Sequence, residues 1–422
     1  MPNLLIIADD LTGANDVGVQ LAKNGVRSFV TTDLEADFDK LFREFEVVVV
    51  DSESRHLSPQ EAGKRISTLV DRARQAGVDR FYKKTDSTMR GNIGSELEAL
   101  LASSGRATLC FVPALPQLGR TTRGGLQYVH GQPLHTTAYA RDPRNPIDES
   151  SVPAILQRQC SMPITVMPLS AISECHRDNP PRGIVVFDGE TDDDFRRISR
   201  AIGQIGCPDV LAGTAGFAEY LPGLSDFAKA EPSPPKYRRP MLIINGSLND
   251  VSLRQSLHAR QSGVAWKQLS PHLLMSPEGP KSSAAFACVD EIVAILNGGG
   301  DVLLQSVTQR EELPCYLAVG ASRESSSELH ELVARNTGRI IAQIMQRTAL
   351  KLLVIFGGDT LVGIADELDW PGFLPCEELV PGLTVSEVAQ SEGLIVISKS
   401  GGFGPENILT NLQEILKQKV EC

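Results

Sequence analysis

The stretch LLIIADDLTGAND, from Leu4 to Asp16, decides the fold class. Its first five residues are apolar and have the length of a buried strand, and the chain from about Gly13 to Lys23 has the apolar spacing of a helix. Two adjacent carboxylates, Asp9 and Asp10, fall in the turn between them. A strand that leads through polar residues into a helix is typical of a β-α unit, so this stretch predicts an α/β fold.

The same alternation of short apolar runs and amphipathic segments recurs along the 422 residues. We therefore expect mostly parallel sheets flanked by helices. The predicted strands are Leu4–Ala8, Val26–Thr31, Val47–Val50, Arg80–Lys84, Ala107–Val112, Gly183–Phe187, Val210–Ala212, Met241–Asn245, Val302–Ser306, Leu352–Phe356 and Leu394–Ser398. The predicted helices are Gly13–Lys23, Pro59–Ala76, Gly94–Ala102, Val251–Ser262, Ser325–Met345 and Pro405–Lys417. The stretch Pro113–Pro153, rich in Gly, Pro, Thr and Arg, is predicted to be a long loop, and long loops in compact domains are often functional.

A proline-rich, polar segment, Glu231–Pro240, separates two series of strands and helices. Such a composition is typical of a semi-rigid linker. The length of the chain also favours more than one domain, at roughly 150 residues per domain. We therefore predict one domain over residues 1–230 and another over residues 241–422, joined by the linker 231–240, with a ligand cleft between them.

The composition limits the class of protein and of partner. Hydrophobic residues make up 41% of the chain, and its net charge is −11. These values exclude disordered, collagen-like and coiled-coil chains, and they disfavour nucleic acid and anionic membranes as partners. The apolar runs are too short for a membrane span, no signal-peptide pattern is visible, and the eight cysteines are dispersed, so we expect a cytoplasmic protein with reduced thiols. A homodimer is our working expectation, without a sequence signal of its own.

An anion site is predicted where the strand Arg80–Lys84 ends. Residues 80–144 hold 9 Lys and Arg against 4 Asp and Glu, so the net charge of this segment is positive although that of the whole chain is negative. Fixed cations beside a helix N-terminus are suited to a carboxylate or a phosphate. Arg55, which also follows a predicted strand, is a candidate for the same site. The other candidates there are Lys83, Lys84, Thr85, Asp86 and Arg90.

Paired acids at a strand end, such as Asp9 and Asp10, can hold a metal, accept hydrogen bonds from substrate hydroxyls or abstract a proton. A simple helix cap is the structural alternative for one of them.

Three glycine-containing turns follow predicted strands of the second domain. Turns of this kind that open helices bind phosphates through backbone N–H groups and the positive end of the helix. Each turn alone is a weak signal, but three of them favour a nucleotide site. The candidate residues are Ser247, Gly357, Gly358, Asp359, Thr360, Gly401 and Gly402.

Several sharper motifs are absent. The chain has no G-x-x-x-x-G-K-[ST], no G-x-G-x-x-G after a strand, no G-x-S-x-G and no H-E-x-x-H. The triplet His176-Arg-Asp178 resembles part of a protein-kinase motif, but Gly183 stands where the metal-binding Asn belongs, so we treat it as a coincidence. Acids and cations in one domain and glycine turns in the other suit phosphoryl transfer with ATP and Mg²⁺.

Six stretches, spread in order over nearly the whole chain, carry a resemblance to a known family. They are Ala8–Asp16, Lys83–Asn92, Pro113–Gly125, Ile244–Ser247, Gly357–Thr360 and Ser398–Gly404. Through them the chain resembles the four-carbon acid sugar kinase family. The resemblance implies ATP-dependent phosphorylation of the terminal hydroxyl of a four-carbon acid sugar, such as D-threonate or D-erythronate, to the 4-phosphate. It also implies that residues 1–230 bind the sugar acid and residues 241–422 bind ATP.

The resemblance assigns roles to these positions. It implies that Asp9 and Asp10 face substrate hydroxyls and that Arg55 and the run Lys83–Asp86 hold the acid. It further implies that Ser247, the turn Gly357–Thr360 and Gly401 hold ATP. The general base stays open between Asp10 and Asp86, Asp359 can serve a metal or the γ-phosphate, and no set of metal ligands is predicted. The alternatives are an NAD(P)-dependent sugar-acid dehydrogenase and a non-catalytic sensor of a sugar acid or nucleotide.

Overall fold

The computed structural model describes residues 3–142, 145–172, 181–231, 234–312, 326–399 and 402–420. The chain divides into two compact units, Met1–Pro232 and Ser233–Cys422. Each unit contains a mostly parallel sheet flanked by helices, which confirms the predicted α/β class. No helix in this described part of the chain is long and apolar enough to cross a membrane.

The sheet of the first unit has the strand order β2-β3-β1-β4-β11-β5-β10-β9, and all of its neighbouring strands are parallel. Its strands are β1 Leu4–Ala8, β2 Ser28–Thr31, β3 Val47–Asp51, β4 Arg80–Lys84, β5 Thr108–Val112, β9 Ile164–Met167, β10 Gly183–Phe187 and β11 Val210–Gly213. Its helices are α1 Leu11–Lys23, α2 Phe38–Glu44, α3 Pro59–Gln75, α4 Ile93–Ser104, α5 Val152–Gln157, α6 Asp192–Ile205 and α7 Ala215–Ala218.

The core of this unit follows the apolar runs of the sequence. Leu5 and Val48 of the central strands are fully buried with Ile66 of α3 and Leu97 of α4. Burial of such a side chain contributes about 1.5–3 kcal/mol, so the sheet supports the residues that follow its strands.

The stretch Pro113–Pro153 forms a small antiparallel sheet as well as loops. Its strands are β6 Arg120–Arg123, β7 Leu126–Val129 and β8 Gln132–Pro133. Gly124 and Gly125 connect β6 to β7 and both have positive φ, 58° and 73°, as a two-residue hairpin turn of type I′ requires. The prediction of a plain loop is therefore wrong over residues 120–133, because the two glycines specify a hairpin.

The sheet of the second unit has the strand order β13-β14-β12-β15-β18-β17-β16. The strands β13, β14, β12, β15 and β18 are parallel to their neighbours in this order. Strand β17 pairs antiparallel with β18, and β16 pairs antiparallel with β17. The strands are β12 Leu242–Asn245, β13 Ala265–Gln268, β14 Val302–Gln305, β15 Leu352–Phe356, β16 Phe373–Val380, β17 Leu383–Val388 and β18 Ile395–Lys399. The helices are α8 Asp250–Gln261, α9 Pro271–Met275, α10 Ser283–Asn297, α11 Ser326–Met345, α12 Gly358–Glu367 and α13 Ile408–Val420.

The last helix differs from its prediction. It begins at Ile408 and not at Pro405, because residues 402–407 continue as turns. Gln255 of α8 donates from Nε2 to the carbonyls of Phe403, Gly404 and Pro405, at 2.9, 3.0 and 3.0 Å. These bonds hold the segment in a non-helical form, and a local sequence pattern does not report a contact with residues so far along the chain.

Candidate functional site

The first unit brings its predicted site residues to one edge of the sheet. Strand β1 lies between β3 and β4, and Ala8 is in register with both Asp51 and Lys84. Because these strands are parallel, the residues that follow them emerge at the same edge. We call the group formed there by Asp9, Asp10, Arg55, Lys84, Asp86 and Arg90 the acid cradle.

Arg55 joins the two adjacent carboxylates. Its Nε donates to Oδ2 of Asp9 at 2.7 Å, and its Nη1 lies 2.7 Å from Oδ2 of Asp10. Asp10 also caps helix α1, because its Oδ1 accepts from the N–H of Gly13 at 2.9 Å. The side chain of Asp10 is 30% exposed and that of Asp9 only 3%, so Asp10 is the carboxylate that reaches solvent.

The charge state of Asp9 is set by opposing effects. Burial by itself would raise the pKa of Asp9, but the charges of Arg55, Lys83 and Lys84 outweigh it and lower the pKa to about 2. The carboxylate is therefore ionised at neutral pH. Its Oδ1 is buried and has no hydrogen-bond partner in the described part of the chain.

Asp86 accepts five hydrogen bonds in the turn after β4. They come from the N–H and Oγ1 of Thr88 and from the N–H, Nε and Nη2 of Arg90, at 2.5 to 3.3 Å. Met89, between these two residues, has a left-handed φ of 61°, which is uncommon outside glycine and lets the turn close on the carboxylate. Burial opposes ionisation, yet Arg90 and Arg55 hold the pKa of Asp86 well below its usual range. Asp86 is therefore a poor proton acceptor.

The two adjacent lysines of β4 point to opposite faces of the sheet, because side chains alternate along a strand. Lys83 has no exposed surface, and its Nζ pairs with Oε2 of Glu96 at 3.2 Å. Glu96 also accepts a hydrogen bond from Ser54 Oγ. Lys83 thus serves a buried pair next to the loop that carries Arg55, and it does not face solvent.

Lys84 lies on the face of α1 and is 6% exposed. Among the described residues it has no hydrogen-bond or ion-pair partner for its amine. The neighbouring Thr85 is buried, its N–H donates to Gly213 O at 2.8 Å, and its Oγ1 has no partner in the described part. Lys84 is therefore the cation of the cradle with the greatest capacity for a ligand.

The stretch after β5 contacts the cradle at Arg90. Asp142 Oδ2 lies 3.2 Å from Nη1 of Arg90, and the guanidinium stands 5.6 Å from the centre of the Tyr139 ring. Gln127 Nε2 donates to Ser87 O at 2.9 Å. The small sheet and the segment that follows it are therefore fixed to the turn that holds Asp86.

In the second unit, two of the predicted glycine turns meet. A Cβ on Gly246 would collide with Thr360 Oγ1, and a Cβ on Gly357 would stand 3.6 Å from Ser247 N. Gly357 has a φ of 109°, which side chains rarely adopt. The turns after β12 and β15 therefore approach each other at the carboxyl ends of adjacent strands.

The turn after β15 opens helix α12 without a side-chain cap. The first N–H groups of a helix have no intrahelical partner and favour anions, so Gly358, Asp359 and Thr360 present a site that fits a phosphate. Ser247 accepts from the N–H of Asn249 at 3.3 Å, and Gly402 is exposed. Gly401, the remaining predicted residue, lies outside the described residues, as does the triplet at 176–178.

Lys399 ends strand β18 beside these turns. It is 2% exposed, its Nζ lies 3.4 Å from Ser252 Oγ, and it stands 4.6 Å from the centre of the Phe356 ring. Burial lowers the pKa of Lys399 to about 7. No motif in the sequence marks this lysine as buried, because its burial depends on tertiary packing.

Within residues 3–420, apart from the gaps given above, no group of three or more His, Cys, Asp or Glu side chains is placed to hold a metal ion. In phosphoryl transfer Mg²⁺ is usually bound by one or two carboxylates together with substrate phosphates, so such a group is not required. Asp359, exposed in the first turn of α12, has the chemistry of one such ligand.

Comparison with known proteins gives a family for both units. A family model described as a sugar-binding N-terminal domain matches residues 4–221, and one described as a nucleotide-binding C-terminal domain matches residues 242–409. Together they describe a two-domain protein with one sugar-binding and one nucleotide-binding domain. The chain belongs to the four-carbon acid sugar kinase family.

Curated relatives cover nearly the whole chain. A D-threonate kinase of Salmonella typhimurium is 30% identical over 418 residues, which is 96% of both chains. A D-erythronate kinase of Heliobacterium modesticaldum is 28% identical and covers 90% of this chain and 89% of its own. A 3-oxo-tetronate kinase of Brucella melitensis is 25% identical and covers 98% and 96%.

Solved structures support the fold alone. One from Salmonella typhimurium has a TM-score of 0.81 at 21% identity and covers 98% of this chain and 100% of that one. Another, from Haemophilus influenzae, has a TM-score of 0.72 at 19% identity with the same coverage.

Proposed function

We propose that the protein is an ATP-dependent kinase that phosphorylates the terminal hydroxyl of a four-carbon sugar acid, D-threonate or D-erythronate, to give the 4-phosphate. The observation that carries the proposal is the acid cradle, in which Arg55 bridges Asp9 and Asp10 while the Lys84 amine has no partner among the described residues. A sugar acid carries hydroxyl groups and a carboxylate. The cradle carboxylates can accept hydrogen bonds from the hydroxyls, and the neighbouring lysine can bind the carboxylate.

In this proposal Asp10 is the proton acceptor. It is the exposed carboxylate of the cradle, whereas Asp86 already accepts five hydrogen bonds and has a lowered pKa. A general base must reach the hydroxyl proton and must have a proton affinity near that needed at the working pH. Asp86 then keeps Arg90 in place, and Lys84 and Arg55 hold the substrate carboxylate.

Residues 241–422 bind ATP in this proposal, through Ser247, the turn Gly357–Thr360 and the glycines at 401 and 402. When bound, ATP supplies the phosphoryl group, and Mg²⁺ neutralises the negative charge of the phosphates. The N–H groups at the start of α12 hold phosphate oxygens, and Asp359 contacts the metal. Lys83 contributes through its buried pair with Glu96, which supports the loop of Arg55.

The test is ADP release with purified protein, ATP and Mg²⁺, using D-threonate, D-erythronate, L-threonate and 3-oxo-tetronate in turn. We expect turnover with D-threonate or D-erythronate, and ³¹P NMR of the product should show a phosphate ester at C4. Turnover with 3-oxo-tetronate and with none of the other acids would show that the substrate is the one named for the relative at 25% identity. Binding of an acid without turnover would indicate a sensor, and reduction of NAD(P) would indicate a dehydrogenase. The cytoplasmic location and the homodimer stay predictions.

A further inference from the structure

Gly13 occupies a position in α1 where a side chain does not fit. A Cβ built there would stand 2.5 Å from Lys84 Nζ, 2.6 Å from Asp10 Oδ1 and 3.2 Å from Lys84 Cε. Separations below 3.0 Å are essentially never seen for real Cβ atoms, so the ends of both side chains would have to move. Glycine inside a helix costs about 1 kcal/mol relative to alanine, and the missing methyl group is what leaves room for the lysine.

The place that the lysine occupies is an unusual one for a cation. The first turn of a helix carries partial positive charge and favours anions, yet the Lys84 amine lies against the first turn of α1. The neighbouring carboxylates offset this cost, since Lys84 is one of the charges that lower the pKa of Asp9. An anion bound there would contact both the amine and the helix start, and each of these interactions would favour it.

We infer that Gly13 is a positioning residue, whose missing side chain lets the Lys84 amine reach the carboxylate of the sugar acid. The inference rests on the proposed function, because it takes the sugar acid as the ligand of Lys84. It assigns to Gly13 an effect on sugar-acid binding that depends in large part on the Lys84 amine, with a further part from Asp10 Oδ1, which an added methyl group would also displace. It assigns to Gly13 no effect on ATP binding.

The first experiment compares Gly13→Ala with Gly63→Ala. Gly63 lies inside helix α3 of the same unit, and a Cβ there would meet its neighbours at the ordinary distances of 3.5 and 3.7 Å. Both variants should fold, because alanine favours helices and the atoms displaced by Gly13→Ala are the ends of two side chains. We expect Gly13→Ala to raise KM for the sugar acid about tenfold or more, equivalent to the weakening of one charge-assisted bond. KM for ATP should stay unchanged, and Gly63→Ala should match the wild type.

The second experiment tests whether the effect passes through Lys84. Lys84→Ala and the double variant Gly13→Ala/Lys84→Ala are compared by the same kinetics and by calorimetric titration of D-threonate and D-erythronate. Once the amine is gone, the added methyl group still displaces Asp10 Oδ1 but no longer the amine. The double variant should therefore raise KM above that of Lys84→Ala by a smaller factor than Gly13→Ala raises it above that of the wild type. Independent, multiplying effects would overturn the inference, and so would a Gly13→Ala enzyme with wild-type KM.

The two experiments separate this inference from the proposed function. If the wild-type protein turns over an acid and Gly13→Ala behaves like Gly63→Ala, the inference is wrong and the function stands. If the wild type binds an acid without turnover, the proposed function is wrong and the same comparison is made on the dissociation constants. A wild type that neither binds nor phosphorylates any four-carbon acid overturns both.

Discussion

The acid cradle of the first unit and the glycine turns of the second differ in the groups that give them their electrostatic character, which are side chains in the cradle and backbone N–H groups in the turns. The cradle consists of charged side chains, and apart from Lys84 they are already paired, Arg55 with Asp9 and Asp10, and Arg90 with Asp86. The turns after β12 and β15 instead present backbone N–H groups, and Gly246 and Gly357 leave space where side chains would stand. Paired charges suit a small ligand with several hydroxyls, and backbone groups suit phosphates of any nucleotide.

The largest effect should follow from loss of the central cation of the cradle. Arg55→Ala leaves Asp9 and Asp10 without their partner, and removal of one member of a largely buried pair costs about 3 kcal/mol or more. We expect kcat/KM for the sugar acid to fall about 100-fold or more and KM for ATP to change little. Steady-state kinetics with each substrate varied, together with urea unfolding, measures both effects.

Arg158→Ala is the matched control, because Arg158 forms an ion pair with Asp148 that is exposed on both sides. Its kinetics and its unfolding should be those of the wild type. An equal rise in both KM values for Arg55→Ala would show that the contrast between the two regions is false.

The second prediction tests the glycine turns. Gly357→Ala places a side chain at a φ of 109°, and Gly263→Ala does so at a φ of 91°, where nothing lies within 4 Å. Both should lower the free energy of unfolding by about 1–3 kcal/mol through backbone strain. Only Gly357→Ala should raise KM for ATP, by about tenfold, since phosphate N–H contacts are displaced. A similar change in ATP binding for Gly263→Ala would mean that strain, and not the site, is responsible.

The third prediction concerns the acid side of the pH scale. The folded pKa of Asp86 lies well below its unfolded value, so its stabilising effect is present above about pH 4 and is lost as pH falls towards the folded pKa. Asp86→Asn removes the charge that Arg90 contacts, so the variant should be less stable at pH 7. Its stability should also depend less on pH between 4 and 2 than that of the wild type. Urea unfolding across this range measures both, and parallel pH curves for the two proteins would contradict the assignment.

The fourth and smallest effect belongs to the second unit and lies on the alkaline side. Burial lowers the pKa of Lys399 to about 7, whereas an unfolded lysine titrates near 10.4. Between these values the unfolded chain binds more protons, so this residue should make stability rise as pH increases from 7 to 10. Lys399→Met should flatten that rise. Lys417→Met, on the exposed side of α13, is the control and should leave the curve unchanged.

Much of the sheet of each unit could be predicted from the sequence, because strands such as β1 and β15 are continuous apolar runs. The antiparallel pair β16 and β17 was not predicted, since β16 contains Pro375 and acidic residues and is only half-buried along most of its length. Pairing with a neighbouring strand, rather than composition, makes this segment a strand.

The candidate site was predictable as a set of residues but not as a set of contacts. Lys83 and Lys84 are equivalent in the sequence, and only their place in β4 gives one a buried partner in Glu96 and places the other against the first turn of α1. Glu96, Tyr139 and Asp142 contact site residues from a helix and a loop whose sequences carry no motif for this role. Their contribution depends on tertiary packing, which brings distant segments together.

The alternation of Lys83 and Lys84 has a consequence for how this strand can change. A substitution in β4 alters one position, but an insertion or deletion of a single residue before Lys83 would exchange the two faces of everything that follows in the strand. The amine of Lys84 would then lie on the face of Glu96, and the amine of Lys83 on the face of α1. The length of β4 up to these lysines therefore determines which of them pairs with Glu96 and which lies beside the carboxylates at the start of α1.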